Sequence, residues 1–410
     1  MSAMDQFAIL APPVLLAITL ICMQEAWRLS KVPKGYKRLG LRGASNMTDE
    51  YDDKYTQPPG TRGDTAWKVK ALFVHPIKSC APVELDVADV DGAGFLWDRK
   101  FAFAELLKPQ TRLDAPEEEK KPKWTFRTQR QPGYERLVHV KPEIWLPDAA
   151  HAKSSPTDKG FMIVKYPNVP SGPLSGLVRL LIWIGLMDPE KSFRVPLVPP
   201  EDHNYPIEQV TIWRDAPSWL NLGVHVPDDF RTYLGVANPL TLFRVDPQSY
   251  REVYRCAPRK DELGYQSVVG FADAYPVHLL NIASVRDVAG RVQRDIPRFS
   301  ARRFRANIVV SGPSAYDEDD WTKIKIGHRV FYCVCHTVRC RLPNVDPDTA
   351  ARHPAEPDKT LKSFRCIDDG DPHNACLGLQ LVPAESDTFQ VHAGDEIQVL
   401  ERGEHHYLKQ

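Results

Sequence analysis

No charge of either sign is in excess, because 53 Lys and Arg oppose 53 Asp and Glu. That balance excludes a general nucleic-acid coat and an acidic tail protein, both of which need a surplus of one sign, so no nucleic-acid partner is expected. Cysteine is sparse, with eight in 410 residues and no repeated spacing. A chain this long buries a core without covalent staples, so the thiols read as free groups of a reducing compartment rather than a disulfide framework. Gly-x-Gly-x-x-Gly, Gly-Lys-Ser/Thr, His-Glu-x-x-His and Gly-x-Ser-x-Gly are all missing. Their absence disfavours ordinary dinucleotide, NTP, zinc-protease and α/β-hydrolase sites. No internal repeat or low-complexity tract occurs.

Proline and apolar residues, by contrast, are plentiful. The 36 prolines imply many turns and long connections, which argues against an all-α protein, and the 42% apolar content is ample for a core. Phe7 to Met23 carries no charge, at the short end of what spans a bilayer. Trp27 follows at interfacial depth, then six cations with no acid among them: Arg28, Lys31, Lys34, Lys37, Arg38 and Arg42. Cations behind the apolar run, and no cleavage site, predict a signal anchor over residues 1–27 that leaves the body in the cytosol. A short basic-flanked anchor suits the mitochondrial outer membrane or the endoplasmic reticulum. Residues 28–66 read as a basic collar and a flexible tether, whose polar part has five acids against two cations.

The body reads as β-rich α+β in two parts, 67–255 and 256–405. Trp67 to Val74 alternates as a half-buried strand does, and short apolar runs broken by turn residues follow it, as in a barrel. Residues 108–123 are charged and Pro-rich, a solvated loop, while 174–187 is apolar enough to predict a helix packed on the core, with an interfacial helix as the lesser reading. Short helices or turns are expected over 217–225 and 228–235. Residues 277–292 have helical spacing, 303–312 and 321–349 read as strands leading into a cysteine-bearing loop, and two further strands close the chain.

That loop carries the chemistry. Cys333 and Cys335 lie two apart on an expected strand and so share a face, as small core residues do. A zinc site would want a second pair, which His336 does not supply. Cys340 stands between Arg339 and Arg341, and nearby cations favour the thiolate, the form that ligates or attacks.

Five segments then occur in a familiar order: ALFVHPIKSC (71–80), WDRKFA (97–102), FRANIVVSG (304–312), RCRLPNVDPDT (339–349) and LKSFR (361–365). Together, from Trp67 to the C-terminus, they resemble the MOSC-domain family in the two-domain form of mitochondrial amidoxime-reducing components. The resemblance implies an N-terminal β-barrel-like domain followed by a MOSC β-barrel domain, behind a transmembrane anchor. It also implies the molybdenum cofactor (Mo-molybdopterin), with Cys340 as ligand to the metal and catalytic residue. Lys78, Ser79, Arg99, Arg305 and Asn307, with Arg130 as a looser match, would bind the anionic cofactor. The implied reaction is reduction of N-hydroxylated substrates such as amidoximes and hydroxylamines by oxygen-atom transfer. Electrons would come from a cytochrome b5-type donor and its NADH-dependent reductase, since the chain has neither a dinucleotide fingerprint nor Fe–S spacing.

Ala274 and Tyr275 stand where small hydroxyl residues are expected, and Val338 likewise replaces one. Two other readings stay open: a sulfur-carrying module with a persulfide on Cys340, and a non-enzymatic cofactor carrier. Pyridoxal phosphate belongs to the sulfurase relatives of this family, and no such aminotransferase domain is seen here.

Overall fold

The computed structural model describes residues 32–56, 66–108, 116, 121–170, 172–200 and 204–408. The expected membrane segment, 7–23, and most of the loop at 108–123 lie outside them. Among the described residues no helix is long and apolar enough to cross a membrane.

An eight-stranded sheet forms the larger core. Its order is Ile397–Arg402, Trp321–Ile326, Arg329–Val338, Cys376–Pro383, Val277–Asn281, Ile308–Ser311, Lys68–Val74 and Val83–Leu85. Lys68 bridges back to Glu396 and Val69 N–H donates to Asp395 at 2.8 Å, so the sheet curls toward a barrel. Inside pack Val69, Leu72, Leu279, Ile308, Trp321, Ile324, Phe331 and Leu381, all buried. The sheet thus draws strands from both sides of residue 256. Outside it lies the helix Ile282–Val292, whose Val285, Val288, Ala289 and Val292 are buried at helical spacing. The helical periodicity expected from 277 in fact begins at 282. Asn281 ends the buried strand and caps the helix, its Oδ1 accepting from Ala283 N–H at 3.0 Å.

The other body holds a closed barrel of Ile207–Thr211, Ser218–Asn221, Leu240–Arg244, Phe101–Leu107 and Lys123–Phe126. Beside it lies a four-stranded sheet of Tyr36–Arg38, Lys141–Pro147, Phe161–Pro167 and Glu190–Pro196. Residues 218–221, expected as helix or turn, are therefore a barrel strand, with Trp219 fully buried on that face. Asp228–Leu234 is a short helix ended by Gly235 at φ 75°.

Three readings of the sequence are corrected here. Residues expected in the tether are packed: Tyr36–Arg38 pairs with Lys141–Pro147, Met47 enters the outer core, and Glu50 is buried. An ion pair ties the stretch to the strand Lys68–Val74, with Lys70 Nζ 2.6 Å from Asp49 Oδ1. The apolar segment at 174–187 forms the helix Ser175–Trp183, but none of its residues is buried, and among the described residues no other element packs extensively on it. Apolar composition signalled burial; the helix instead sits on the connection between Phe161–Pro167 and Glu190–Pro196. Lastly, Cys333 and Cys335 do not share a face. A β-bulge between them pairs Cys333 with Leu381 and Cys335 with Gln380, sending the two thiols into different core clusters.

Candidate functional site

Three of the seven candidate site residues have left-handed backbone without being glycine: Ser79 at φ 68°, Arg99 at 49° and Arg305 at 55°. Such conformations persist where the surroundings over-determine them, and they gather at ligand clamps. Ser79 and Lys78 lie in the turn after Lys68–Val74, fixed by Lys78 N–H donating to Phe101 at 2.8 Å. Arg99 lies just before the strand Phe101–Leu107, and Arg305 just after the short 3-10 turn Ala301–Phe304.

These cations meet around Asp273. Lys78 Nζ donates to Asp273 Oδ1 and to the Phe271 carbonyl, both at 2.6 Å. Burial pulls the Lys78 ammonium below the ordinary lysine value in spite of that partner. The Asp273 side chain is 64% exposed, yet protein crowds around its carboxyl. That crowding works to raise its carboxyl, and Lys78, Arg99 and Arg130 overcome it, holding the group below the usual carboxylate range. Burial, with Arg99 beside it, lowers the Arg305 guanidinium to about 10, so it stays charged at neutral pH. Among the described residues its Nη2 is buried with no hydrogen-bond partner. A buried guanidinium nitrogen without a partner, beside Arg99, suits an anionic ligand.

Arg130 joins this cluster to a cleft of about 460 Å³, which Cys340 also lines. Five cations border the cleft (Arg130, Arg339, Arg341, Arg352 and Lys362) against one carboxylate, Asp358. Arg130 lies 4.5 Å over the ring of Trp213, and Arg352 is held by Gln129 O at 2.7 Å and Glu135 Oε1 at 2.9 Å. Asp358 serves both Arg341 at 3.4 Å and Lys362 at 3.3 Å. Cys340 itself is exposed. Its neighbour Arg339 turns inward, donating from Nε to Leu377 O at 2.9 Å and from Nη2 to His278 Nε2 at 2.6 Å. Burial lowers that guanidinium to about 9 and holds His278 well below its ordinary value, so the imidazole accepts as a neutral ring.

Asn307 differs from the other candidates. It is fully buried, donates to Phe73 O at 3.1 Å, and its Oδ1 accepts from His278 N–H at 3.1 Å and Arg99 Nη1 at 3.3 Å. It acts on the site through Arg99. Tyr275 is core too, with its hydroxyl accepting from Cys256 N–H at 3.3 Å. Sequence reasoning missed Asp273, Arg352 and Lys362. The density of cations over 339–352 was the available signal for Arg352 and the segment LKSFR (361–365) for Lys362, whereas no local pattern marks Asp273.

Among the described residues His336, Asp368 and Cys376 also place ligand atoms within 4.8 Å of one another. Both His336 nitrogens are already engaged, Nδ1 with Asp368 Oδ2 at 2.8 Å and Nε2 with Asp319 O at 3.0 Å. A buried hydrogen-bond network accounts for that group.

Residues 66–144 match the model of the MOSC N-terminal beta barrel domain, and residues 266–398 match that of the MOSC domain. The chain is a MOSC-domain protein. It is similar to mitochondrial amidoxime-reducing component 1 of Mus musculus, 38% identical over 125 residues covering 30% of this chain and 34% of that protein. The Danio rerio protein of the same name is 33% identical over 160 residues, 38% of this chain and 46% of that one. The molybdenum cofactor sulfurase of Oryza sativa subsp. japonica is 31% identical over 142 residues, 32% of this chain but 17% of the sulfurase. The match spans less than half the length of each of these relatives. In this MOSC-domain protein the two matched stretches contain Lys78, Arg99 and Arg130 on one side and Asp273, Arg305 and Cys340 on the other.

Proposed function

We propose that this MOSC-domain protein binds the molybdenum cofactor between its two bodies and reduces N-hydroxylated substrates, amidoximes and hydroxylamines, with electrons from a cytochrome b5-type protein and its NADH-dependent reductase. The observation that carries this reading is the conjunction of an exposed thiol, Cys340, with a cleft bordered by five cations and one carboxylate. The buried, unpartnered Arg305 Nη2 supports it, as do relatives that bear the names of amidoxime-reducing components.

The residues present fit an anionic, thiophilic group. Cys340 is the soft ligand suited to molybdenum. Arg305, Arg99 and Lys78 would face the anionic end, and Arg130, Arg341 and Lys362 would border it along the cleft. Bound there, the cofactor supplies the two-electron redox centre that removes the hydroxyl oxygen from nitrogen. Asp273 limits the cost of clustering these cations when nothing is bound, since it pairs with Lys78. Arg352, fixed by Gln129 and Glu135, links the cysteine loop to the barrel domain and so sets the width of the cleft.

The reading includes an anchor at 7–23, the catalytic body in the cytosol and the mitochondrial outer membrane as its place, with the endoplasmic reticulum as the alternative. Sharing one membrane with the electron donor would raise the donor's effective concentration. The test is reoxidation of reduced cytochrome b5 by benzamidoxime in the presence of the full chain. Activity lost on Cys340→Ser supports the reading. A metal-free chain carrying persulfide on Cys340 would instead favour the sulfur-carrier alternative that the rice sulfurase match suggests.

A further inference from the structure

We propose that the helix Ser175–Trp183, with the residues flanking it, lies in the surface of a lipid bilayer. Leu174, Leu177, Leu180, Trp183, Ile184 and Leu186 are 67, 54, 50, 83, 48 and 68% exposed. At 100° per residue, Trp183, Leu180, Ile184, Leu177 and Leu174 share one arc of about 180° that contains no charged residue. Val178 and Ile182 on the opposite side, and Leu181 near one edge of the arc, are half-buried, and Arg179 sits beyond its other edge. Single exposed leucines are ordinary, but five large apolar side chains on eleven consecutive residues, 174–184, form a contiguous face that calls for a partner. The nine-residue helix is too short to span a bilayer, so it would lie in the headgroup region. There an indole at the helix end is favoured, and an arginine at the rim can reach the phosphates.

Lipid, rather than a protein, is the occupant because of the rest of the chain. Residues 7–23 form an uncharged apolar run, and the chain rejoins the described structure at Val32 and enters the strand Tyr36–Arg38. That strand belongs to the same four-stranded sheet whose Phe161–Pro167 to Glu190–Pro196 connection bears the apolar helix. The registers place Tyr36 opposite Pro147 and Glu190 opposite Pro167, at opposite ends of seven-residue strands about 23 Å long. Residues 24–31 would provide about 27 Å of reach if extended, so the two apolar segments can meet one bilayer plane. The choice of lipid rests on the anchor reading above, and the experiment separates the two.

The full chain is reconstituted in phosphatidylcholine vesicles with brominated acyl chains, which quench indoles at the bilayer. Trp27 reports the anchor and Trp183 the helix. We expect Trp183→Leu to reduce the quenched emission about twofold, since these two indoles would share the interface. The exposed pair Leu177→Glu with Leu180→Glu should remove the Trp183 share and leave the Trp27 share. Quenching unchanged by Trp183→Leu but lowered by Trp27→Leu would overturn the helix proposal and leave the anchor standing. Quenching unchanged by either would overturn both. An unquenched Trp183, with the double variant converting a dimer to a monomer in mild detergent, would make the face a protein interface and also overturn the proposal.

Discussion

Arg99 donates from Nη2 to the backbone carbonyl of Arg305 at 2.8 Å, so one cation of the candidate site holds the loop that presents another. Its Nη1 also meets Asp98 and Asn307, and three acceptors in different directions suit a planar guanidinium fork. Arg99→Lys keeps the charge but cannot reach all three. The expected outcome is molybdenum occupancy reduced about tenfold or more at limiting cofactor, the usual scale for losing a group that orients a ligand. Metal analysis of the purified variant beside the wild type checks it, and equal occupancy would show that Arg99 contributes charge alone.

Asn307 gives a stability prediction. Replacing it with leucine strands the buried Phe73 carbonyl and His278 N–H. At about 1–3 kcal/mol for each unpaired group, a destabilisation of about 2–6 kcal/mol is expected in equilibrium denaturation. A change below about 1 kcal/mol would contradict the clamp role, since exposed-site substitutions already reach half that.

Glu318 gives a pH dependence. It is fully buried and bonded to Asn281 Nδ2 at 2.9 Å and Ser284 Oγ at 2.7 Å, and burial raises its carboxyl from 4.5 to about 7. A raised acid stabilises the fold fully below its unfolded value, and that contribution is lost as pH rises through the folded value. Linkage over this window amounts to up to about 3 kcal/mol. The melting temperature of the wild type should therefore fall relative to Glu318→Gln between about pH 5 and pH 8. Parallel melting profiles for the two proteins would show that Glu318 titrates normally.

The segment at 45–56 is tested through Glu50. Its carboxylate accepts from Ala301 N–H at 2.9 Å and Ser300 Oγ at 3.1 Å, at the start of the turn that leads to Arg305. Glu50→Ala should lower stability by about 1–3 kcal/mol and expose 32–56 to limited proteolysis. Unchanged stability would return this stretch to the role of a loose tether.

How much of this could be read beforehand depended on whether the signal was local. The strands Trp321–Ile326 and Arg329–Val338 show in the alternation of WTKIKI and RVFYCVCHTV, because a one-sided core writes a period of two into a strand. The bulge between Cys333 and Cys335 breaks that period without leaving a mark, so the faces of those two thiols could not be inferred. Lys78, Arg99 and Arg305 were legible through their motifs, yet the carboxylate that gathers them, Asp273, lies 195 residues beyond Lys78 in the chain. The segment at 174–187 shows the limit of composition: leucines mark affinity for an apolar phase and do not say whether that phase is the protein's own core.

The central claim is that Cys340 and the cations around it hold the molybdenum cofactor. Its most direct test is the molybdenum content of the full chain purified from cells that make the cofactor, measured by mass spectrometry for the wild type and for Cys340→Ser. The account predicts close to one metal atom per wild-type chain, with the metal lost from the variant. Metal-free wild-type protein, or a variant that retains the wild type's metal, would contradict it.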